Sequence, residues 1–202
     1  MNIINTKISK ILILSIFILL SLDIEAQKIN DFNSERNRSQ KKAMTILTTW
    51  AGLNIGLGTI GSLTHSGESK YFHQMNVGWN LVNLGLGISG LVQAKKETTD
   101  GLDLHQSLTK YRKIANAFLF NSALNLTYIT AGGLLLERSK NNPENYTQLQ
   151  GFGKSLILQG GFLLFFDLSA YFVQRRNRIK RLDPFIKNVT LSSKHLGLVF
   201  HF

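Results

Sequence analysis

The distribution of charge along this chain of 202 residues leaves few choices of fold. No Lys, Arg, Asp or Glu occurs in 43–67, 71–94 or 114–136, and 155–174 holds only Asp167. Each window is long enough for a helix to cross a hydrocarbon core, which takes about 20 residues. Four spanning helices are the natural reading. A soluble exported helical bundle competes with it, because the second window carries Asn76, Asn80 and Asn83 and would insert only marginally.

Inside the windows a short pattern repeats. The first copy is Trp50-Ala-Gly-Leu-Asn54-Ile-Gly-Leu-Gly58-Thr-Ile-Gly61 and the second is Trp79-Asn-Leu-Val-Asn83-Leu-Gly-Leu-Gly87-Ile-Ser-Gly90. Looser echoes place Asn121, Asn125 and Gly132 in the third window, and Leu163, Asp167 and Gln174 in the fourth. Local alternation such as Leu84-Gly-Leu-Gly-Ile also suits a barrel strand. The repeat decides between the two: its offsets of 0, 4, 8 and 11 fall within about 80° of one helix face at ~100° per residue. On a strand the last offset lands on the opposite face. The expected fold is therefore all-α, a four-helix transmembrane bundle over 43–176.

The polar members sit deep. Asn54, Asn83 and Asn125 lie within about one residue of their window centres, and Asp167 lies about 4 Å off at ~1.5 Å rise per residue. In an up-down-up-down bundle such midpoints share a layer whichever way each helix runs. Asn54, Asn83, Asn125 and Asp167 are thus expected to meet, while Trp50, Trp79, Gly58, Gly61, Gly87, Gly90 and Gly132 pack helix against helix. Gly52 and Gly56 form a separate pair pointing away from Asn54, which suggests a second packing side for the first helix. Asp167 differs chemically from the others, because an intramembrane carboxyl is costly and is often part of an ion or proton pathway. No Lys or Arg lies in any window to pair with it.

The ends carry compartment signals that conflict. Lys7 and Lys10, the apolar run Ile11–Leu22 and Ala26 before Gln27 have the layout of a secretory signal peptide, 1–26, with an uncleaved anchor as the alternative. Residues 27–42 read as a solvated basic tail or an amphipathic lead-in helix. Lys and Arg number five in 27–42, five in 95–113 and seven in 175–202, against one in 68–70 and three in 137–154. With four spans the three rich segments share a side, which the positive-inside rule assigns to the cytoplasm, whereas a cleaved export signal places residue 27 outside. The expected setting is a bacterial cell envelope, with the inner membrane favoured.

The net charge of +11 gathers at Arg175, Arg176, Arg178, Lys180 and Arg181, a patch suited to anionic lipid headgroups or to another envelope protein. No recognised nucleic-acid motif accompanies it. Beyond it, 177–202 reads as a basic exit and a β-like tail, in which Leu196, Leu198, Phe200 and Phe202 alternate with His195, Gly197, Val199 and His201. There is no cysteine, hence no disulfide or thiolate ligand.

Enzyme chemistry is not indicated. His65, Glu68 and His73 cluster near the first turn, but their spacing matches no standard zinc pattern, and no nucleophile elbow, P-loop or nucleotide fingerprint occurs. No catalytic residue, metal or cofactor is expected. The combination of signal segment, Trp-x-x-x-Asn helices with their glycines and basic exit resembles an uncharacterised family of small bacterial multi-pass membrane proteins. That resemblance implies a helical membrane fold and says nothing about chemistry.

Overall fold

The computed structural model describes residues 2–184 and 186, with side chains from Ala26 onward. Among these residues the chain is helical and has no strand: α1 (Asn2–Thr64), α2 (Gly67–Lys96), α3 (Leu104–Ser139) and α4 (Tyr146–Arg181), with a short 3-10 turn at Pro143–Asn145. The expected β-like tail falls outside the described residues. The helix boundaries follow local chemistry. Gly67 adopts φ +58, a left-handed conformation that glycine reaches without steric cost, and so lets the chain reverse between α1 and α2. Asp103 accepts from the Gln106 amide while the Gln106 side chain bonds back, a capping box that starts α3. Pro143 fixes the first position of the turn before α4, where its missing N–H costs nothing.

The helices form two antiparallel hairpins, α1 with α2 and α3 with α4. The hairpins join through α4, which packs on α2 and on α1; α3 meets α1 only slightly and barely touches α2. Helix α4 is thus the shared element, and a gap is left between α2 and α3.

Burial is inverted relative to a water-soluble bundle. The interior holds Asn76, Asn80, Asn83, Asn125, Gln159, Asp167 and Gln174, whereas Leu57, Leu63, Leu134 and Phe165 are 66%, 80%, 66% and 74% exposed. Soluble interiors select apolar side chains and bury polar ones sparingly. Three helical segments, Ala26–Thr64, Leu104–Ser139 and Pro143–Arg181, are long and apolar enough to cross a membrane. That is one fewer than the four expected. Helix α2 falls short because Asn76, Asn80 and Asn83 dilute its apolar content, yet these three are buried against the other helices while Leu81, Val82, Leu86 and Ile88 face outward.

Residues 27–42 are not a separate tail. They continue α1, and Ile29 and Phe32 form a second small core with Tyr111, Ala115 and Leu182 at the basic end. A first core of Met44, Leu47, Phe118, Leu163 and Phe166 lies deeper. Helix α1 runs without a break through Ala26.

Candidate functional site

Ser155, Gln159, Asp167, Gln174 and Asn177 of α4 lie within about a 120° arc at ~100° per residue, so one face of the shared helix carries a polar stripe into the bundle. Four of the five make side-chain bonds to α1 or α2. Gln159 is fully buried and joins three helices: its amide N donates to Asn54 Oδ1 at 3.1 Å and Asn76 Oδ1 at 2.9 Å, and its Oε1 accepts from Trp50 Nε1 at 3.0 Å. Ser155 donates to the same Asn76 oxygen at 2.7 Å. Gln174 and Asn177 donate to the backbone carbonyls of Arg36 and Phe32 at 3.0 and 3.1 Å, which ties α1 to the end of α4.

Asp167 takes its bond from α3: Asn125 Nδ2 donates to Asp167 Oδ2 at 2.7 Å. With Asn83 and Asn121 they line a cavity of about 360 Å³ between α2, α3 and α4, alongside Trp79 and Tyr128. Asn83 itself donates to Asn80 at 3.3 Å, and Asn80 to the Asn76 carbonyl at 2.8 Å. The structure therefore gathers three members of the expected polar layer, Asn83, Asn125 and Asp167, around one cavity. Asn54 is elsewhere. It bonds to Gln159, eight residues or about 12 Å before Asp167 along α4. The bonds of Gln174 and Asn177 to α1 set its register there, and that register does not bring the window centres level.

Beside the cavity lies a larger cleft of about 500 Å³ in the gap between α2 and α3. Leu47, Leu86, Asn121, Phe166 and Asp167 line both spaces. At its other end stand Arg36, Glu97, Lys110 and Lys113. Arg36 is fully buried and donates to Glu97 at 2.6 Å, and Lys110 approaches the same oxygen at 3.2 Å. Burial pushes the Glu97 carboxyl up, but Arg36 and Lys110 together outweigh it and hold the group below the usual carboxylate range. Nearby, the Arg178 guanidinium lies 5.4 Å from the centroid of the Tyr111 ring.

Of the expected lipid patch, Arg175, Arg176, Lys180 and Arg181 are exposed at the end of α4. Arg178 is half-buried and ion-paired with Asp183 at 3.1 Å. The glycines fall into two sets. Gly58 and Gly61 face Val77 and His73, Gly87 and Gly90 face Thr48 and Met44, and Gly132 faces the Gly153 carbonyl and Ile157. Gly52 and Gly56 have nothing within 4 Å of the space a side chain would take, so the second packing side expected of α1 is open. Trp50 stacks on Phe162 with centroids 3.6 Å apart, and Trp79 meets Tyr128 edge-on at 4.6 Å.

Sequence reasoning missed Gln159, Ser155 and the Arg36–Glu97 pair. Gln159 and Ser155 stand eight and twelve residues before Asp167, on the same helical face, and that periodicity was available in the sequence. Arg36 had no such signal, since nothing local distinguishes it from the exposed Arg38 two residues on. At the first turn the His65 and His73 rings are 5.4 Å apart, while Glu68 pairs with Lys154 at 2.6 Å. No cluster of three or more His, Cys, Asp or Glu able to hold a metal ion occurs among the described residues.

No curated protein and no solved structure matches the chain. A family model does match, over residues 46–168, which takes in α2, α3, the last third of α1 and the first two thirds of α4. The match includes Asn54, Asn83, Asn125, Gln159 and Asp167 and stops short of Arg36 and the basic end of α4. The chain belongs to the family of unknown function DUF6992.

Proposed function

We propose that this protein is an integral membrane helix bundle of the bacterial cell envelope, a structural and interaction protein whose basic end meets anionic lipid or another envelope protein. The inverted burial carries the reading. Asparagine, glutamine and aspartate side chains are bonded to each other inside while leucine and phenylalanine face out, the arrangement that a hydrocarbon solvent favours. Helix α2 crosses as the partner of α1, its asparagines shielded by α4. Alkaline carbonate extraction tests this: the protein should stay in the membrane pellet, and recovery in the supernatant would favour the soluble exported bundle. Single cysteines at the exposed positions Ser34, Ser66 and Asn141, labelled from each side, would establish orientation; a four-span topology requires Ser66 and Asn141 together and Ser34 opposite.

A second reading has its own observation. Asp167 accepts a bond from Asn125 and borders both cavities, the setting of a carboxyl that passes protons or ions. Asp167→Asn and the unaltered protein in liposomes test it: ion flux that the substitution abolishes supports a relay, and absence of flux in both removes it.

A further inference from the structure

We propose that the cleft between α2 and α3 is a binding site for one anionic phospholipid of the bilayer, its headgroup held by Arg36, Lys110 and Lys113 and one acyl chain lying along the cleft. The proposal rests on the membrane reading above and deepens it.

Charge is the first argument. Arg36, Lys110 and Lys113 line the mouth against a single carboxylate, Glu97, so the mouth is positive even after that pair forms. Basic pockets between membrane helices near the interface are the usual seats of anionic headgroups. The guanidinium is the second argument and an independent one. Arg36 is fully buried, yet only Nη2 is bonded to Glu97; Nε and Nη1 have no partner among the described residues. These donors point to different sides of the planar cation, so a phosphate at the mouth would take one of them in a single charge-assisted bond. Leaving such a donor unpaired is costly, and that bond would remove part of the cost.

Length is the third. The cleft runs from residue 36 to 47 on α1, from 97 back to 86 on α2 and from 110 to 121 on α3. Each stretch covers about 16 Å at ~1.5 Å per residue. That is close to one leaflet of hydrocarbon, about half of the ~30 Å core. Met44, Leu47, Leu86, Ile114, Phe118 and Phe166 supply the apolar wall between the charged mouth and the inner end. Asp167 stands at that inner end, a cleft's length from the headgroup, where its charge does not oppose the phosphate. Because α2 and α3 barely touch, the cleft is open sideways: Leu86, Ser89 and Gln93 on one rim and Lys113, Ala117 and Asn121 on the other are exposed. A lipid can enter laterally without unpacking the bundle.

The test uses the full-length protein in mild detergent with mixed micelles of phosphatidylglycerol or phosphatidylcholine, and counts retained lipid by native mass spectrometry. The unaltered protein should retain phosphatidylglycerol in preference. Lys113→Gln, which removes one exposed cation at the mouth, should lower that retention about fivefold, the factor one basic side chain contributes near an anionic headgroup. Ala117→Trp, at an exposed position, should close the cleft and lower it at least as much, with helicity by circular dichroism unchanged. Arg138→Gln with Lys140→Gln, an exposed pair at the other end of the bundle, should leave it as it was. Full retention in Ala117→Trp, equal retention of phosphatidylcholine, or equal loss in the Arg138/Lys140 variant would each overturn the site. Displacement by millimolar inorganic phosphate alone would show a free-anion site and overturn the phospholipid. Carbonate extraction of the same preparation separates the two claims: extraction defeats the membrane reading, whereas an embedded protein whose Ala117→Trp form still holds lipid defeats the cleft alone.

Discussion

The middle of the bundle and its basic end both bury polar side chains, but with different chemistry. In the middle the buried groups are neutral amides with one carboxyl, joined side chain to side chain across helices: Gln159 to Asn54 and Asn76, and Asn125 to Asp167. At the basic end an ion pair and backbone bonds join them: Arg36 with Glu97 and Lys110, and Gln174 and Asn177 with carbonyls of α1, beside one neutral side-chain bond, Asn33 to Ser107. On the membrane reading proposed above, the difference follows the surroundings. Near an interface, water and headgroups help to solvate a charged pair, and the cost of burying it falls. Deep in hydrocarbon that help is absent, and amides that satisfy one another are the affordable polar groups. The middle holds helices in place with neutral side-chain bonds and one carboxyl; the end adds a buried ion pair to its amide bonds.

Four variants probe that contrast, in order of expected effect. Gly132→Ile should be the most damaging, because the new side chain meets the Gly153 carbonyl and the Ile157 backbone, which cannot swing aside. A loss of about 3 kcal/mol, the upper range for overpacking, is expected in detergent unfolding. Glu97→Gln should follow closely, at about 3 kcal/mol, the low end for breaking a buried pair, since Glu97 keeps 18% exposure. The same pair predicts an acid sensitivity. Its carboxyl is depressed in the folded protein, so its stabilisation is complete above the ordinary carboxylate range and disappears as pH falls through the lowered folded value. A pH titration of unfolding in which Glu97→Gln keeps the full acid slope would contradict it.

Gln159→Leu should cost less, about 1–2 kcal/mol, near the maximum for interhelical hydrogen bonds in membranes. If it cost as much as Glu97→Gln, the contrast between neutral bonds and the ion pair would fail. Gly52→Ala with Gly56→Ala should be the mildest, neutral or slightly stabilising, because both positions are open and alanine is the better helix former by about 1 kcal/mol per residue. Marked destabilisation there would mean that this face of α1 packs against something, such as a second copy of the chain.

Part of the site was legible in the sequence. The helical spacing of the Trp-x-x-x-Asn-x-x-x-Gly pattern pointed to contact faces, and Gly58, Gly61, Gly87, Gly90 and Gly132 do lie between helices. The pairing of Asn125 with Asp167 is consistent with their shared depth. The cleft was not legible, since it exists only because α2 and α3 touch at little more than Trp79 and Tyr128. Nor was Gln159 singled out, although its place on the Asp167 face was readable.

Sequence alone determined the helices and the alternation of long uncharged windows with basic segments, because helical periodicity and charge placement are local properties of the chain. Tertiary structure decided which helix sits at the centre, how far α1 slides along α4 and which buried cation has donors without a partner among the described residues. Those depend on contacts between residues more than a hundred positions apart, such as Gln174 with Arg36 and Gln159 with Asn54. The polar layer is the clearest case. Matching depths suggested that four side chains meet, and the register set at the basic end brought three around one cavity and sent Asn54 to Gln159.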